Sequence, residues 1–192
     1  GKASAIEKYG RVVCIGGGVG IAPVYPITRA LKAAGNEVIS IIGARTAEQL
    51  ILQEEMGAVS DHIYITSDDG STGQEGFVTN VLARLLSDGV QIDLIIAIGP
   101  LPMMESVAET SRAYGVKTIV SMNPIMVDGT GMCGACRVAV GSETKFACVD
   151  GPEFDGHLVD WQLARSRSRM FLAEEKIAQK CSGGDCQCQK NG

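Results

Sequence analysis

Short apolar runs alternate along the first two-thirds of the chain with segments in which apolar residues recur at helical spacing. The runs that we predict as β-strands lie at 11–15, 37–42, 62–66, 92–98 and 116–121. The segments with helical spacing lie at 23–34, 46–56, 77–86 and 103–114. Because the strand runs are almost continuously apolar, we expect both faces of their sheet to be covered. The alternation predicts an α/β fold with a doubly wound, mostly parallel sheet.

The alternation ends at residue 123. The segment that follows is rich in glycine and cysteine, with short strand-like runs at 137–140 and 145–149. A structureless loop of this length is unusual in a compact domain, whereas a bound metal centre can organise a segment without an apolar core of its own. The predicted units are an α/β domain at 1–122, a metal-binding lobe at 123–157, a C-terminal helix at 158–180, and a flexible tail at 181–192 with Cys181, Cys186 and Cys188.

Charge and cysteine usage narrow the class of protein. The 192 residues include 17 basic and 22 acidic side chains, a net charge of −5, which disfavours general binding to nucleic acid or to an anionic membrane. The apolar runs are too short to span a bilayer, and we expect no secretory leader. An odd number of cysteines, seven, makes a poor disulfide framework. We therefore expect a cytoplasmic protein whose cysteines bind metal or act in redox chemistry.

A glycine-rich loop joins the first predicted strand to the first predicted helix. It comprises Gly16, Gly17, Gly18, Val19, Gly20, Ile21, Ala22 and Pro23. Glycine lets the backbone approach a pyrophosphate closely, and a helix N-terminus offers free N–H groups to an anion. A strand, a glycine loop and a helix in this order predict a dinucleotide-binding site. The alternative is a tight turn that packs the helix on the sheet.

Three further loops follow predicted strands and supply candidate nucleotide contacts. These are Arg45, the pair Asp68 and Asp69, and the set Gly99, Pro100 and Met103. Ligands of doubly wound sheets bind at the carboxyl ends of strands. The two aspartates would repel a 2′-phosphate and accept hydrogen bonds from ribose hydroxyls, which favours NAD(H) over NADP. Arg45 is either a contact to a phosphate or a solvated surface charge.

The cysteines at 133, 136 and 148 form the candidate metal site. Plant-type two-iron ferredoxins space their ligands C-x4-C-x2-C with a distant fourth cysteine. Asp128 stands where the first cysteine of that pattern would be, followed by Cys133, Cys136 and Cys148. This spacing favours a [2Fe-2S] cluster with one carboxylate ligand. A structural zinc ion with His157 as a fourth ligand and a set of reactive free thiols are the alternatives.

Four motifs together resemble a known family. They lie at 16–23, 68–73 and 99–103, and in the cluster segment that ends with 150–154. Their combination resembles the ferredoxin–NADP reductase superfamily, in the branch with a C-terminal two-iron cluster. That branch includes the electron-transfer subunit of dihydroorotate dehydrogenase. It also includes the small subunit of NADH-dependent reduced ferredoxin:NADP oxidoreductase, also labelled sulfide dehydrogenase.

The resemblance implies an NAD(P)H-linked oxidoreductase subunit that passes electrons between NAD(H), FAD and a [2Fe-2S] cluster. It further implies a larger flavin and iron–sulfur subunit as heterodimer partner, and ferredoxin as an indirect partner. The dihydroorotate branch usually has cysteine at position 128. Asp128 therefore places the sequence closer to the small subunit of ferredoxin:NADP oxidoreductase. The dihydroorotate dehydrogenase subunit remains an alternative, as does a nucleotide-binding regulatory module with structural zinc.

Two departures from the family pattern bear on these expectations. Family members begin with a flavin-binding β-barrel that is missing from this sequence, so we expect a C-terminal portion of a longer protein, incomplete as an enzyme. Ile98 stands where many relatives have a cysteine just before the Gly-Pro pair. No catalytic residue is predicted on this chain.

Overall fold

The computed structural model describes the backbone of residues 1–182 and the side chains of residues 1–178. The side chains of Cys181, Cys186 and Cys188 lie outside the described part, as does almost all of the predicted tail. Among the described residues, no helix combines the length and the apolar character needed to cross a bilayer.

Up to residue 121, strands and helices alternate in the order that the hydrophobic pattern predicts, with one additional short strand at Gln74–Glu75. The strands are β1 (Arg11–Gly17), β2 (Glu37–Ala44), β3 (His62–Ser67), β4 (Gln74–Glu75), β5 (Leu94–Ile98), β6 (Thr118–Ser121), β7 (Arg137–Val140), β8 (Glu143–Phe146) and β9 (Glu153–Asp155). The helices are α1 (Ile21–Ala33), α2 (Gln53–Ala58), α3 (Val78–Ser87), α4 (Leu101–Arg112), α5 (Trp161–Ser168) and α6 (Leu172–Ser182).

A seven-stranded sheet in the order β4-β3-β2-β1-β5-β6-β9 forms the centre of the protein. All neighbours pair in parallel except β6 and β9, which are antiparallel. The chain moves outward in one direction from β1 to β4 and in the other from β5 onward. The reversal leaves a topological switch point between β1 and β5, where doubly wound sheets bind their ligands. The predicted doubly wound α/β fold is confirmed.

Helices bury both faces of the sheet, which explains why its strands are apolar at successive positions. Side chains alternate between the faces: Val13 and Ile15 of β1 belong to the core beneath α3 and α4, whereas Val12 and Cys14 belong to the core beneath α1. All four are fully buried. A strand buried on one face would have shown alternating polar positions instead.

Two predicted helices are interrupted. The segment 46–56 holds a 3₁₀ turn at Ala47–Gln49 and then the short α2. Leu52 between them has a φ of 54°, a left-handed conformation that breaks the helical path. The segment 158–180 holds α5 and α6 as separate helices, and Arg169 ends α5 with a ψ of 2°.

The lobe predicted at 123–157 returns to the main sheet. Its strands β7 and β8 form a separate hairpin, but β9 pairs with β6, with Phe154 opposite Val120 and Glu153 opposite Ser121. Since β6 ends at Ser121 and β9 begins beside it, the lobe leaves and rejoins the sheet at the carboxyl edge of the parallel strands. The sequence pattern did not predict this strand.

The buried face of α3 offers a direct test of the core. Leu82 is fully buried, whereas Leu163 on α5 is 44% exposed. Leu82→Ala should lower the free energy of unfolding by about 2–5 kcal/mol, because it removes buried methyl groups and leaves a cavity. Leu163→Ala, the same change at an exposed position, should cost less than about 1 kcal/mol. Urea unfolding followed by circular dichroism measures both, and equal losses would contradict this packing.

Candidate functional site

A cavity of about 550 Å³ lies at the carboxyl edge of the sheet, across the switch point. Loops that follow β1, β2, β3 and β5 line it, together with the first turns of α3 and α4. The lining residues are Gly17, Gly18, Gly43, Ala44, Arg45, Gln49, Thr66, Asp68, Phe77, Val78, Thr79, Pro100, Pro102, Met103 and Ser106. Its size falls within the range of small-molecule and cofactor sites, about 300–1,000 Å³.

The glycine-rich loop divides into a part that lines the cavity and a part that packs the helix. Gly17 and Gly18 line the cavity, and Gly18 has a φ of 53°, which favours glycine. A Cβ at Gly16 would meet Ile21, and a Cβ at Gly20 would meet the carbonyl of Ile98. Both interpretations of the loop therefore apply, each to different glycines.

The structure brings six of the predicted nucleotide contacts together at the cavity. They are Gly17, Gly18, Arg45, Asp68, Pro100 and Met103. The others lie outside its lining: Gly16, Val19, Gly20, Ile21, Ala22, Pro23, Asp69 and Gly99. Val19 is 83% exposed, Ile21 is buried in the core, and Gly99 packs tightly between Met103 and Gly17.

The two acidic residues after β3 have different positions. Asp68 lines the cavity beside the Arg45 loop, where its backbone N–H donates to the carbonyl of Ala44 at 3.1 Å. The Asp69 carboxylate instead accepts hydrogen bonds from the hydroxyl and backbone N–H of Ser71, at 2.6 and 3.0 Å. These bonds lower the pKa of Asp69. Ser71 in turn accepts a bond from the N–H of Ala47, so Asp69 organises the loops and Asp68 supplies the acidic group at the cavity.

Several lining residues were missed from the sequence. A Cβ at Gly43, the next-to-last residue of β2, would meet Thr66 and Val78 side chains, so glycine there keeps the cavity floor open. The rule that ligands bind at the carboxyl ends of strands could have indicated Gly43. Phe77 is 61% exposed at the rim, where it precedes α3, and the strand and loop pattern gave no signal for it.

Two of the predicted metal-ligating thiols lie close together in the lobe. The sulfur atoms of Cys136 and Cys148 are 3.2 Å apart. Burial raises the pKa of Cys136, but hydrogen bonds from the backbone N–H and the side chain of Cys148 outweigh it and lower the pKa overall. The hydrogen bond to Cys136, followed by burial, raises the pKa of Cys148. The two sulfurs are thus close enough to be ligands of one metal centre.

The other two predicted ligands are joined to each other. The Asp128 carboxylate accepts hydrogen bonds from the backbone N–H of Thr130 at 2.7 Å and of Cys133 at 3.2 Å. The bond from Thr130 is the main cause that lowers the pKa of Asp128. The N–H of Ala135 donates to the Cys133 sulfur at 3.4 Å. Within the described residues, no three Cys, His, Asp or Glu side chains converge on a single point.

The chemistry of this segment nevertheless fits an iron–sulfur cluster. Its donors are three thiols and one carboxylate, and thiolates are the usual ligands of such clusters. Gly129, Gly131 and Gly134 all have positive φ angles, of 77°, 88° and 65°. These conformations turn successive peptide groups, and N–H groups directed at sulfur stabilise negative charge on a cluster.

His157 lies away from the thiols. Its Nε2 is 3.0 Å from the hydroxyl of Ser111, which is fully buried on α4. Ser111 also accepts a hydrogen bond from Thr118 of β6. His157 therefore helps to pack the segment after β9 against α4, and it is not placed as a fourth zinc ligand.

Comparison with known families agrees with both parts of this site. A model described as the oxidoreductase NAD-binding domain matches residues 14–109, and 96 residues are half of the chain. The chain belongs to the oxidoreductase NAD-binding domain family. A second model, the iron-sulfur cluster binding domain of dihydroorotate dehydrogenase B, matches residues 123–160 of this family member. The resemblance to ferredoxin reductases with a C-terminal cluster is thereby confirmed.

Individual relatives of this NAD-binding domain protein are longer than the chain. It is 49% identical over 178 residues to a dihydroorotate dehydrogenase B electron transfer subunit homolog of Thermotoga maritima, covering 93% of the chain and 62% of that protein. It is 36% identical over 148 residues to the corresponding subunit of Geobacillus thermodenitrificans, covering 76% and 55%. The chain thus spans about three-fifths of the length of these relatives.

A solved structure is also similar over nearly the whole chain. It comes from a study of flavin-based electron bifurcation in NADH-dependent reduced ferredoxin-NADP oxidoreductase. The two share 48% sequence identity with a TM-score of 0.86, over 94% of this chain and 64% of that one. The likeness therefore extends across both the NAD-binding domain and the segment that the iron–sulfur model matches.

The cavity makes a prediction for Gly17. A Cβ there would collide with the side chain of Met103, so Gly17→Ala should narrow the cavity and raise the Kd for NADH by about tenfold or more, a loss of ~1.4 kcal/mol. Isothermal titration calorimetry measures the change.

Gly57→Ala is the matched control, because Gly57 lies within α2 and a Cβ there meets nothing within 4 Å. Its Kd should equal that of the unchanged protein. If Gly17→Ala binds NADH as tightly as Gly57→Ala does, the nucleotide does not occupy this cavity.

Proposed function

We propose that this chain is the electron-transfer part of an oxidoreductase that links NAD(H), a flavin and a [2Fe-2S] cluster to a larger partner subunit. When bound, these groups exchange a hydride between NAD(H) and the flavin, and single electrons between the flavin and the cluster. The observation that carries the proposal is the shared edge of the sheet. The cavity and the lobe with the thiols both lie at the carboxyl ends of the parallel strands.

The chain's own residues would bind and orient the nucleotide. Gly17 and Gly18 let the backbone approach the pyrophosphate, and α1 begins directly after their turn. Asp68 would accept hydrogen bonds from ribose hydroxyls, and Arg45 on the neighbouring loop would face a phosphate. The Asp68 carboxylate would favour NAD(H) over NADP, because it repels a 2′-phosphate.

Four residues would hold the cluster, namely Asp128, Cys133, Cys136 and Cys148. The other described cysteine has a structural role: Cys14 is fully buried in β1, and burial raises the pKa of its thiol to about 12. A thiol that does not ionise at neutral pH is a poor metal ligand. The four cysteines whose side chains the structure describes thus divide by environment into three proposed ligands and one core residue.

The lobe presents an apolar surface beside the proposed ligands. Val127 is 72% exposed, Met132 is 89% exposed, and Met126 is 52% exposed. Each is within two residues of Asp128 or Cys133. Exposed apolar side chains around a redox group suit docking of another protein, and we assign this face to the larger subunit of a heterodimer.

The remaining partners and cofactors follow from this assignment. Ferredoxin would exchange electrons with the larger subunit, and FAD would belong to the full-length protein. The free thiols of the described cysteines suit the cytoplasm.

A second candidate is the electron-transfer subunit of dihydroorotate dehydrogenase. The matched iron–sulfur model and the names of several relatives support it. Asp128 favours ferredoxin:NADP oxidoreductase, because the dihydroorotate branch usually has cysteine there. The partner distinguishes the two: copurification of a dihydroorotate-oxidising barrel would support the second candidate, and a larger flavoprotein with four-iron clusters the first.

The affinity for NADPH tests the proposed position of Asp68 beside the ribose. Asp68→Asn should lower the Kd for NADPH by about two- to fivefold, the effect of one exposed charge, because it removes repulsion of the 2′-phosphate. Asp88→Asn removes the same charge at the far end of α3 and should leave the Kd unchanged. Fluorescence titration with NADPH compares the two, and equal effects would show that Asp68 does not face the ribose.

The metal content of cysteine variants tests the proposed cluster ligands. In the full-length protein purified without oxygen, Cys148→Ser should lose most of its iron, acid-labile sulfide and visible absorption, because it removes one of three thiolates. Cys14→Ala should keep its iron, its acid-labile sulfide and its visible absorption, since Cys14 lies in the core. One zinc ion and no colour in the unchanged protein would contradict the proposed function and favour a structural metal lobe.

A further inference from the structure

Helix α5 lies between the nucleotide domain and the lobe with the thiols, and its start is held by several contacts. Asp160 accepts a hydrogen bond from the N–H of Leu163 and caps its start. The Trp161 side chain is 8% exposed and donates to the carbonyl of Gly156 at 3.0 Å. The residue before Asp160, Val159, bridges to Val140 of β7. The start of the helix is therefore held in place, and side chains further along it can bind neighbouring segments.

On one side, Arg165 joins α5 to the nucleotide domain. Its Nη1 donates to both carboxylate oxygens of Glu105, at 2.6 and 2.8 Å. The Glu105 side chain is 10% exposed and the Arg165 side chain 46% exposed, so solvent screens the pair and its main contribution is the fixed two-oxygen geometry. Glu105 belongs to α4 and precedes Ser106, which lines the cavity.

On the other side, Arg167 joins α5 to the ligand loop. Residues two apart on a helix point in directions about 200° apart, so Arg167 faces away from Arg165. Its Nη2 donates to the carbonyl of Ala135 at 2.8 Å. Ala135 lies between the proposed ligands Cys133 and Cys136. Arg137 holds the preceding carbonyl, that of Gly134, also at 2.8 Å, so cationic side chains hold two successive carbonyls of the loop.

By holding the carbonyl of Ala135, Arg167 also fixes the N–H on the other side of the same peptide group. Because the peptide group is planar and trans, the N–H of Cys136 points opposite to the carbonyl of Ala135. That N–H belongs to the proposed ligand Cys136, whose sulfur lies 3.2 Å from the sulfur of Cys148. Hydrogen bonds to ligand sulfurs tune the potential of an iron–sulfur cluster. The orientation of this one peptide group thus connects the Arg167 guanidinium to the environment of a ligand sulfur.

We propose that Arg167 is a positioning residue for the cluster: it fixes the peptide between Ala135 and Cys136, while Arg165 and Glu105 tie the same helix to the nucleotide domain. Helix α5 thereby sets the orientation of the ligand loop relative to the cavity. This inference rests on the proposed function, because it assigns the loop to a cluster.

The test compares Arg167→Gln, Arg167→Lys and Arg169→Gln in the full-length protein. Arg169 is the matched control, since it is exposed at the end of the same helix. We expect Arg167→Gln to speed amide hydrogen exchange at residues 134–137 by about tenfold, the loss of one charge-assisted hydrogen bond. We also expect it to shift the reduction potential and the electron paramagnetic resonance spectrum of the cluster. Arg167→Lys should restore the spectrum in part, and Arg169→Gln should change neither measurement.

Two results would overturn the proposal. One is an Arg167→Gln protein whose loop exchange and spectrum equal those of the unchanged protein. The other is faster exchange throughout the chain in both Arg167 variants, which would mean a general loss of stability. Failure of the proposed function is seen separately, as absence of iron from the unchanged protein, and the exchange measurement still reports whether Arg167 holds the loop.

Discussion

The parallel pairing of β1 with β2 and β5 is the interaction on which the rest of this structure depends. Because these strands run in the same direction, their carboxyl ends meet at one edge, and the loops that follow them surround one cavity. The reversal of strand order beside β1 separates those loops enough to admit a ligand. Every candidate nucleotide contact depends on this arrangement, including those on α3 and α4, whose first turns begin at the same edge.

The same edge determines where the thiol-bearing segment lies. The chain leaves β6 at Ser121 and returns through β9, so the segment between them cannot move far from the cavity. Its own core is small, and the packing of its strand β7 against α5 helps to hold it. Cys136 is 2% exposed and belongs to the core beneath α4. The thiol-bearing segment thus gains rigidity from the larger domain.

Much of the fold could be predicted from the sequence because burial on both faces leaves a strong signal. The runs at β1, β2 and β5 are almost entirely apolar, and glycine follows each closely. The break at Leu52 and the strand at 153–155 could not be predicted: the first depends on a single left-handed residue, and the second on a partner strand distant in the chain. At the cavity, glycines and charged residues after strands were recognisable, whereas Phe77 was not, because its role depends on where α3 packs.

The central claim is that the nucleotide cavity and the cysteine segment form one electron-transfer unit. The most direct test adds excess NADH to the full-length protein without oxygen and records its electron paramagnetic resonance spectrum at low temperature. The account predicts the signal of a reduced two-iron cluster, with an intensity that matches the concentration of the chain. A protein with no iron would contradict the account. So would a cluster that dithionite reduces but NADH leaves oxidised.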